Sequence, residues 1–115
     1  MRMWMVPTIY LCRKHLLGEH SELHKHRHIF EKQRSIKGYI ENNCIEPMSM
    51  KLRHEQLVME MLSRGYKHQS PYERPDINYL PLDHLTYEVD RCASLIDLLL
   101  RCKDCRERFR IYGKL

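Results

Sequence analysis

Residues 8–38 read TIYLCRKHLLGEHSELHKHRHIFEKQRSIKG, and the spacing within them decides the fold. Thr8, directly behind Pro7, fits a helix start, because its hydroxyl can cap the free amides of the following turn. At about 100° per residue, Leu16, His20, Leu23, Arg27 and Phe30 form one stripe of mixed character. His15, Glu19, Glu22 and His26 form a polar stripe beside it. The pattern predicts a first long helix from Thr8 to about Gly38, with Glu22 projecting from its polar face.

Outward from that helix, Gly38-Tyr39 and the polar stretch Glu41–Pro47 predict a loop. Met50, His54, Leu57, Val58 and Met61 then recur at the spacing of a buried helix face, and Gly65 fits the left-handed residue that commonly closes a helix. Pro71, Pro75 and Pro81 rule out a helix interior between Tyr66 and Pro81 and predict an extended crossing segment. From Asp83, a candidate cap, Leu85, Val89, Cys92, Ile96 and Leu99 repeat at alternating four and three, with Leu95, Leu98 and Leu100 widening the face. No internal repeat or strand alternation appears. The sequence therefore predicts an all-α fold, a single compact domain spanning residues 1–115, built of three main helices with long irregular connections.

At 115 residues the chain is the size of one ordinary domain. With 43% hydrophobic and 30% charged residues it matches a soluble globular protein, and no stretch approaches the roughly 20 apolar residues of a membrane span. The apolar run Met3–Tyr10 is short, holds Pro7 and lacks a cleavage site, so no signal peptide is expected. Five cysteines, an odd number at irregular spacing, argue against a secreted disulfide framework and for a reducing, cytoplasmic home. A net charge of +5 favours a polyanionic partner.

Within the first helix, His15-Leu16-Leu17-Gly18-Glu19-His20-Ser21-Glu22-Leu23 resembles the segment of the pyrimidine-dimer DNA glycosylases, the phage endonuclease V family and its cellular relatives, that carries their catalytic glutamate. Glu22 matches that glutamate. Met1-Arg2-Met3-Trp4 resembles the start of the family, Leu57–Tyr66 the end of its second helix, and Arg53-His54-Glu55 and Lys67-His68-Gln69-Ser70-Pro71 resemble cellular members. The resemblance covers about residues 1–71; beyond them only Tyr112-Gly113-Lys114 is similar to the phage protein's tail.

The resemblance implies attack of an N-terminal α-amine on the sugar C1′ of a damaged nucleotide, then β-elimination through an imine, without metal or organic cofactor. An α-amine suits the task, since its ordinary pKa of about 7.7–8.0 leaves more free base near neutrality than lysine's at about 10.4. Arg2 is large and charged, which opposes removal of Met1, and in the register of the resemblance the Met1 amine falls on the family's nucleophile. The catalytic pair expected is thus Met1 and Glu22. Glu22 would stabilise charge at C1′ and move protons. The DNA-binding residues expected are Arg2, His15, Lys25, Lys32, Arg101, Phe109, Arg110 and Tyr112, with Arg13, Lys14 and Arg27 as further cations. The partner implied is damaged double-stranded DNA, bound by a monomer. Ser21 and His24-Lys25 depart from the phage pattern, so the lesion is less securely implied than the nucleophile.

Two other readings compete. A nonenzymatic DNA-binding protein would keep the same fold. A metal-dependent nuclease could draw on Glu19, His20, His24 and His28, although no HExxH-type motif supports it. His54, on an apolar stripe, fits a hydrogen-bonded core residue. Cys102-Lys103-Asp104-Cys105 is a single CxxC, weak evidence for zinc unless Cys92, Cys12 or His84 completes it.

Overall fold

A computed structural model describes residues 1–67 and 70–113 of the chain. His68, Gln69 and Lys114, which carry parts of the resemblance given above, lie outside the described residues. The described elements are helical: a 3₁₀ turn at Thr8–Tyr10, α1 (Arg13–Lys25), α2 (Arg27–Glu31), α3 (Lys37–Glu41), a second 3₁₀ turn at Pro47–Ser49, α4 (Met50–Ser63), α5 (Leu82–Leu85), α6 (Arg91–Arg101) and α7 (Lys103–Tyr112). The all-α expectation is met, with no strand among the described residues. No described helix is long and apolar enough to cross a membrane.

Helix α4 lies where its spacing predicts, burying Met50, His54, Leu57, Val58 and Met61 together with Arg53. Gly65, at φ 83°, closes it. The Gly65 N–H donates to the Leu62 carbonyl at 3.0 Å and the Tyr66 N–H to Met61 at 2.9 Å, the paired bonds of a Schellman end. Gln33 and Asn43, also left-handed at φ 53° and 56°, close α2 and α3 in the same way.

Two predicted helices are corrected. The stretch from Thr8 to Gly38 is not continuous, because Leu11 and Cys12 are extended and the Cys12 N–H donates to Cys105 Sγ at 3.2 Å instead of to the preceding turn. It breaks again at His26 and after α2, and Gly38-Tyr39, expected in a loop, lie in α3. The helix expected from Asp83 stops at Leu85 and restarts at Arg91, capped by the Asp90 carboxylate through the Ala93 N–H at 3.0 Å. Between them the Val89 N–H donates to Glu46 at 2.9 Å and the Asp90 N–H to Asn43 Oδ1 at 2.7 Å, so distant side chains replace the helix ladder. The inward face of α6 is therefore Ser94 and Leu98, while Cys92, Ile96 and Leu100 are exposed.

One continuous core joins the N-terminal segment Met3–Val6 to Leu16 and Leu23 of α1, Leu57 of α4, Leu98 of α6 and Cys105 of α7. The N-terminal segment is held along its length. The Met3 N–H donates to the Cys44 carbonyl at 2.7 Å, and the Ser94 hydroxyl donates to the Trp4 carbonyl at 2.6 Å. Glu19 is not on a solvated stripe: it is buried, and Arg53 donates to its two oxygens at 2.6 and 3.0 Å, tying α1 to α4.

Candidate active site

The segment held in this way runs out beside α1. The backbone N–H of Arg2 donates to Glu22 Oε2 at 2.8 Å, so the residue following Met1 is fixed against the Glu22 carboxylate. Glu22 is not paired with Lys25; His26 Nδ1 approaches only its backbone carbonyl, at 2.9 Å. Met1, Arg2 and Glu22 line one cleft of about 800 Å³, whose far walls are Tyr39, Asn42 and Asn43 from the end of α3 and Asp97 and Arg101 from α6. That volume lies within the usual range for a small-molecule or nucleotide site.

Arg2 spans the cleft. Its guanidinium is 2.6 Å from Asp97 and stands 3.9 Å from the centre of the Trp4 ring, a cation–π arrangement. Its Nε is buried and has no hydrogen-bond partner among the described residues. Asp97 also holds Arg101 at 2.8 Å. A carboxylate thus organises two cations at the edge of the cavity that contains Glu22, an arrangement suited to gripping a phosphate.

His15 lies in a smaller adjoining hollow, about 290 Å³, bounded by Arg2, Trp4, Lys14, Gly18, Glu19 and Glu22. Its ring meets Trp4 edge-on, centroids 5.6 Å apart, and its Nδ1 lies 3.2 Å from Cys12 Sγ and 3.6 Å from Cys105 Sγ. Burial, with Lys14 adding to it, holds the imidazole below its ordinary pKa against the opposing pull of Glu22.

The other expected DNA contacts are scattered. Lys25 and Lys32 are exposed at the ends of α1 and α2 and do not line the cleft. Phe109, on α7, packs edge-on against Tyr10 with centroids 5.0 Å apart and is half-buried. Arg110 pairs with Glu107 at 2.6 Å, and Tyr112 is exposed beneath the Arg108 guanidinium. The C-terminal run is thus a docked helix, with Phe109 already occupied by a protein partner. Tyr39, Asn42 and Asp97 were not expected in the site; each comes from an element far from Glu22 in sequence, and no motif marks them.

The histidines expected as a rival metal set are divided. Glu19 is held by Arg53, and His28 Nδ1 bonds the Lys25 carbonyl at 2.8 Å. His20 and His24 instead gather with His54 of α4, His24 Nε2 lying 3.1 Å from His54 Nε2 and the Tyr72 ring stacking on His54 at 5.0 Å. Cys92 and His84 lie apart from the CxxC, whose neighbours are Cys12 and His15.

Comparison with known proteins gives one match. The family model described as pyrimidine dimer DNA glycosylase matches residues 1–74, a span that contains Met1, Arg2, Glu22 and the α3 wall of the cleft. No curated protein matches the chain, and no solved structure does.

Proposed function

The chain belongs to the pyrimidine dimer DNA glycosylase family, and from that premise we propose that it excises damaged pyrimidines from duplex DNA and cleaves the resulting abasic site, with the Met1 α-amine as nucleophile. The observation that carries this reading is the 2.8 Å hydrogen bond from the Arg2 N–H to Glu22, which ties the start of the chain to a carboxylate in one cleft.

The amine lone pair attacks C1′ of an extruded nucleotide, and the C1′–N bond breaks with its electrons leaving on the base. Glu22, close to the reacting carbon, stabilises positive charge there and accepts the proton lost from nitrogen. The C1′–O4′ bond then opens, O4′ takes a proton, and an imine joins C1′ to Met1. Loss of a C2′ proton expels the 3′ phosphate oxygen, and water finally hydrolyses the imine to release the amine. Reaching C1′ requires the damaged nucleotide to leave the stack, and in this reading Arg2 and Arg101, which line the cleft, anchor the flanking phosphates. The enzyme acts on double-stranded DNA as a monomer.

Borohydride trapping on an abasic-site duplex tests the mechanism. A covalent protein–DNA adduct is expected from the unmodified chain, none after acetylation of the N-terminus, and mass spectrometry should place the DNA on Met1. Glu22→Gln should lower turnover on pyrimidine-dimer DNA by about 10²-fold or more while preserving binding. Trapping unaffected by acetylation would move the nucleophile to a lysine; no adduct from a chain that still binds DNA would make the protein a nonenzymatic DNA binder.

A further inference from the structure

Beside the cleft, four side chains that no step of the proposed chemistry uses converge on one point. Cys12 and His15 come from the start of α1, and Cys102 and Cys105 from the junction of α6 with α7. Their ligand atoms all lie within 4.8 Å of one another. Cys12 Sγ stands 3.7 Å from Cys102 Sγ and 3.2 Å from His15 Nδ1, and Cys105 Sγ stands 3.6 Å from His15 Nδ1. All the cysteines are free thiols.

These spacings are close to the edges of a tetrahedron. Zinc bonds of about 2.3 Å to sulfur and about 2.0–2.1 Å to nitrogen set edges of roughly 3.8 Å between sulfurs and roughly 3.6 Å between sulfur and nitrogen. The surroundings agree. The Cys12 N–H donates to Cys105 Sγ at 3.2 Å and the Cys105 N–H to Cys102 Sγ at 3.4 Å, the kind of outer hydrogen bond that supports a thiolate ligand. Cys12 and Cys105 are buried, so a metal there would be shielded from water. The trio His20, His24 and His54 is the other such cluster among the described residues, but it offers nitrogen alone.

We propose that Cys12, His15, Cys102 and Cys105 form a structural zinc site of Cys₃His type. Binding releases three thiol protons to solvent and leaves zinc with three thiolates and His15 Nδ1, a closed four-ligand set with no open position for substrate. The metal clamps α6 and α7 to the segment from which α1 and the N-terminus diverge, across about ninety residues of chain. Because His15 coordinates through Nδ1, its proton is fixed on Nε2. The proposal stands independently of the Met1 chemistry.

Elemental analysis of the full chain, expressed with zinc and desalted under reducing conditions, should find about one zinc per chain, released by a thiol-modifying reagent. Cys12→Ser, Cys102→Ser and Cys105→Ser should lose most of it, and Cys92→Ser, exposed on α6, should retain it. Cobalt(II) titration of the reduced, metal-free wild-type chain should give the visible bands of tetrahedral cobalt with a sulfur-to-metal charge-transfer band. That measurement decides the matter even if a cysteine variant fails to fold. Zinc-free protein without the cobalt spectrum would overturn the proposal. So would zinc that persists in Cys105→Ser and is lost in His20→Gln, which would assign the metal to the imidazole trio.

Discussion

Arg2 and Asp97 meet at 2.6 Å across the mouth of the cleft, so the cation nearest the N-terminus is held by a carboxylate from α6. On the proposed reading, a DNA phosphate would compete with Asp97 for Arg2 and for Arg101, which the same carboxylate holds. Asp97→Asn should tighten binding to undamaged duplex at low salt and steepen its dependence on log salt concentration by about one unit. Turnover on damaged DNA should fall, since Arg2 loses its anchor beside Glu22. Anisotropy titrations over a salt series check the first effect; an unchanged slope would mean that neither arginine contacts phosphate.

Glu19 and Arg53 form a fully buried pair between α1 and α4, where burial pushes the Glu19 carboxyl up and the Arg53 hydrogen bonds pull it back. Glu19→Gln strands the guanidinium charge in the core and should destabilise the fold by about 3–5 kcal/mol. The double variant Glu19→Leu with Arg53→Met, which removes both charges, should recover much of that loss. Urea denaturation distinguishes the cases. Equal losses in single and double variants would show that packing, not charge, dominates.

Burial also pushes the Glu46 carboxyl up, but donors from Arg91, Ser49 and the Val89 N–H outweigh it and hold the group below the ordinary carboxylate range. The unfolded chain then binds the Glu46 proton more readily than the folded one. The contribution is complete above the unfolded value of about 4.3 and is lost as pH falls through the lower folded value. Since Arg91 is half-exposed, Glu46→Gln should lower stability by about 1–2 kcal/mol at pH 7. Denaturation curves of the two proteins should converge towards pH 3; a gap that stayed constant would exclude ionisation as its cause.

Phe109 and Tyr112 lie one turn apart on α7 but in different surroundings. Phe109→Ala removes the edge-on contact with Tyr10 and should lower stability by about 2 kcal/mol, whereas Tyr112→Ala, exposed, should change it by a few tenths. Paired melting and DNA-binding measurements check the assignment. If Phe109→Ala lost DNA affinity with an unchanged melting temperature, base stacking would be its role after all.

What the sequence made legible follows from the range of the forces involved. Helix α4 was readable because its apolar residues repeat at close spacing and Gly65 marks its end. The breaks at Leu11–Cys12 and between Leu85 and Arg91 were not, because the groups that capture those amides, Cys105, Glu46 and Asn43, lie more than forty residues away in the chain. Leu98 turns inward as expected, but Ser94 joins it there, while Cys92 and Ile96, also expected on that face, are exposed. At the cleft, Met1, Arg2 and Glu22 could be named from the sequence, whereas Asp97 and Tyr39 become visible only when α6 and α3 are folded beside them. The CxxC at Cys102 was recognisable and Cys12 was among the residues that could complete it, but His15 joins them only in three dimensions.

The fastening of Met3 and Trp4 has a bearing on how the protein is made. Their partners, the Cys44 carbonyl and the Ser94 hydroxyl, are translated long after them. At roughly 5–20 residues per second, the first few residues wait on the order of ten seconds outside the ribosome before Ser94 emerges. During that interval the segment lacks both of these fastenings. Once α6 is in place both bonds close, so the segment that sets Arg2 against Glu22 is completed only by the second half of the chain.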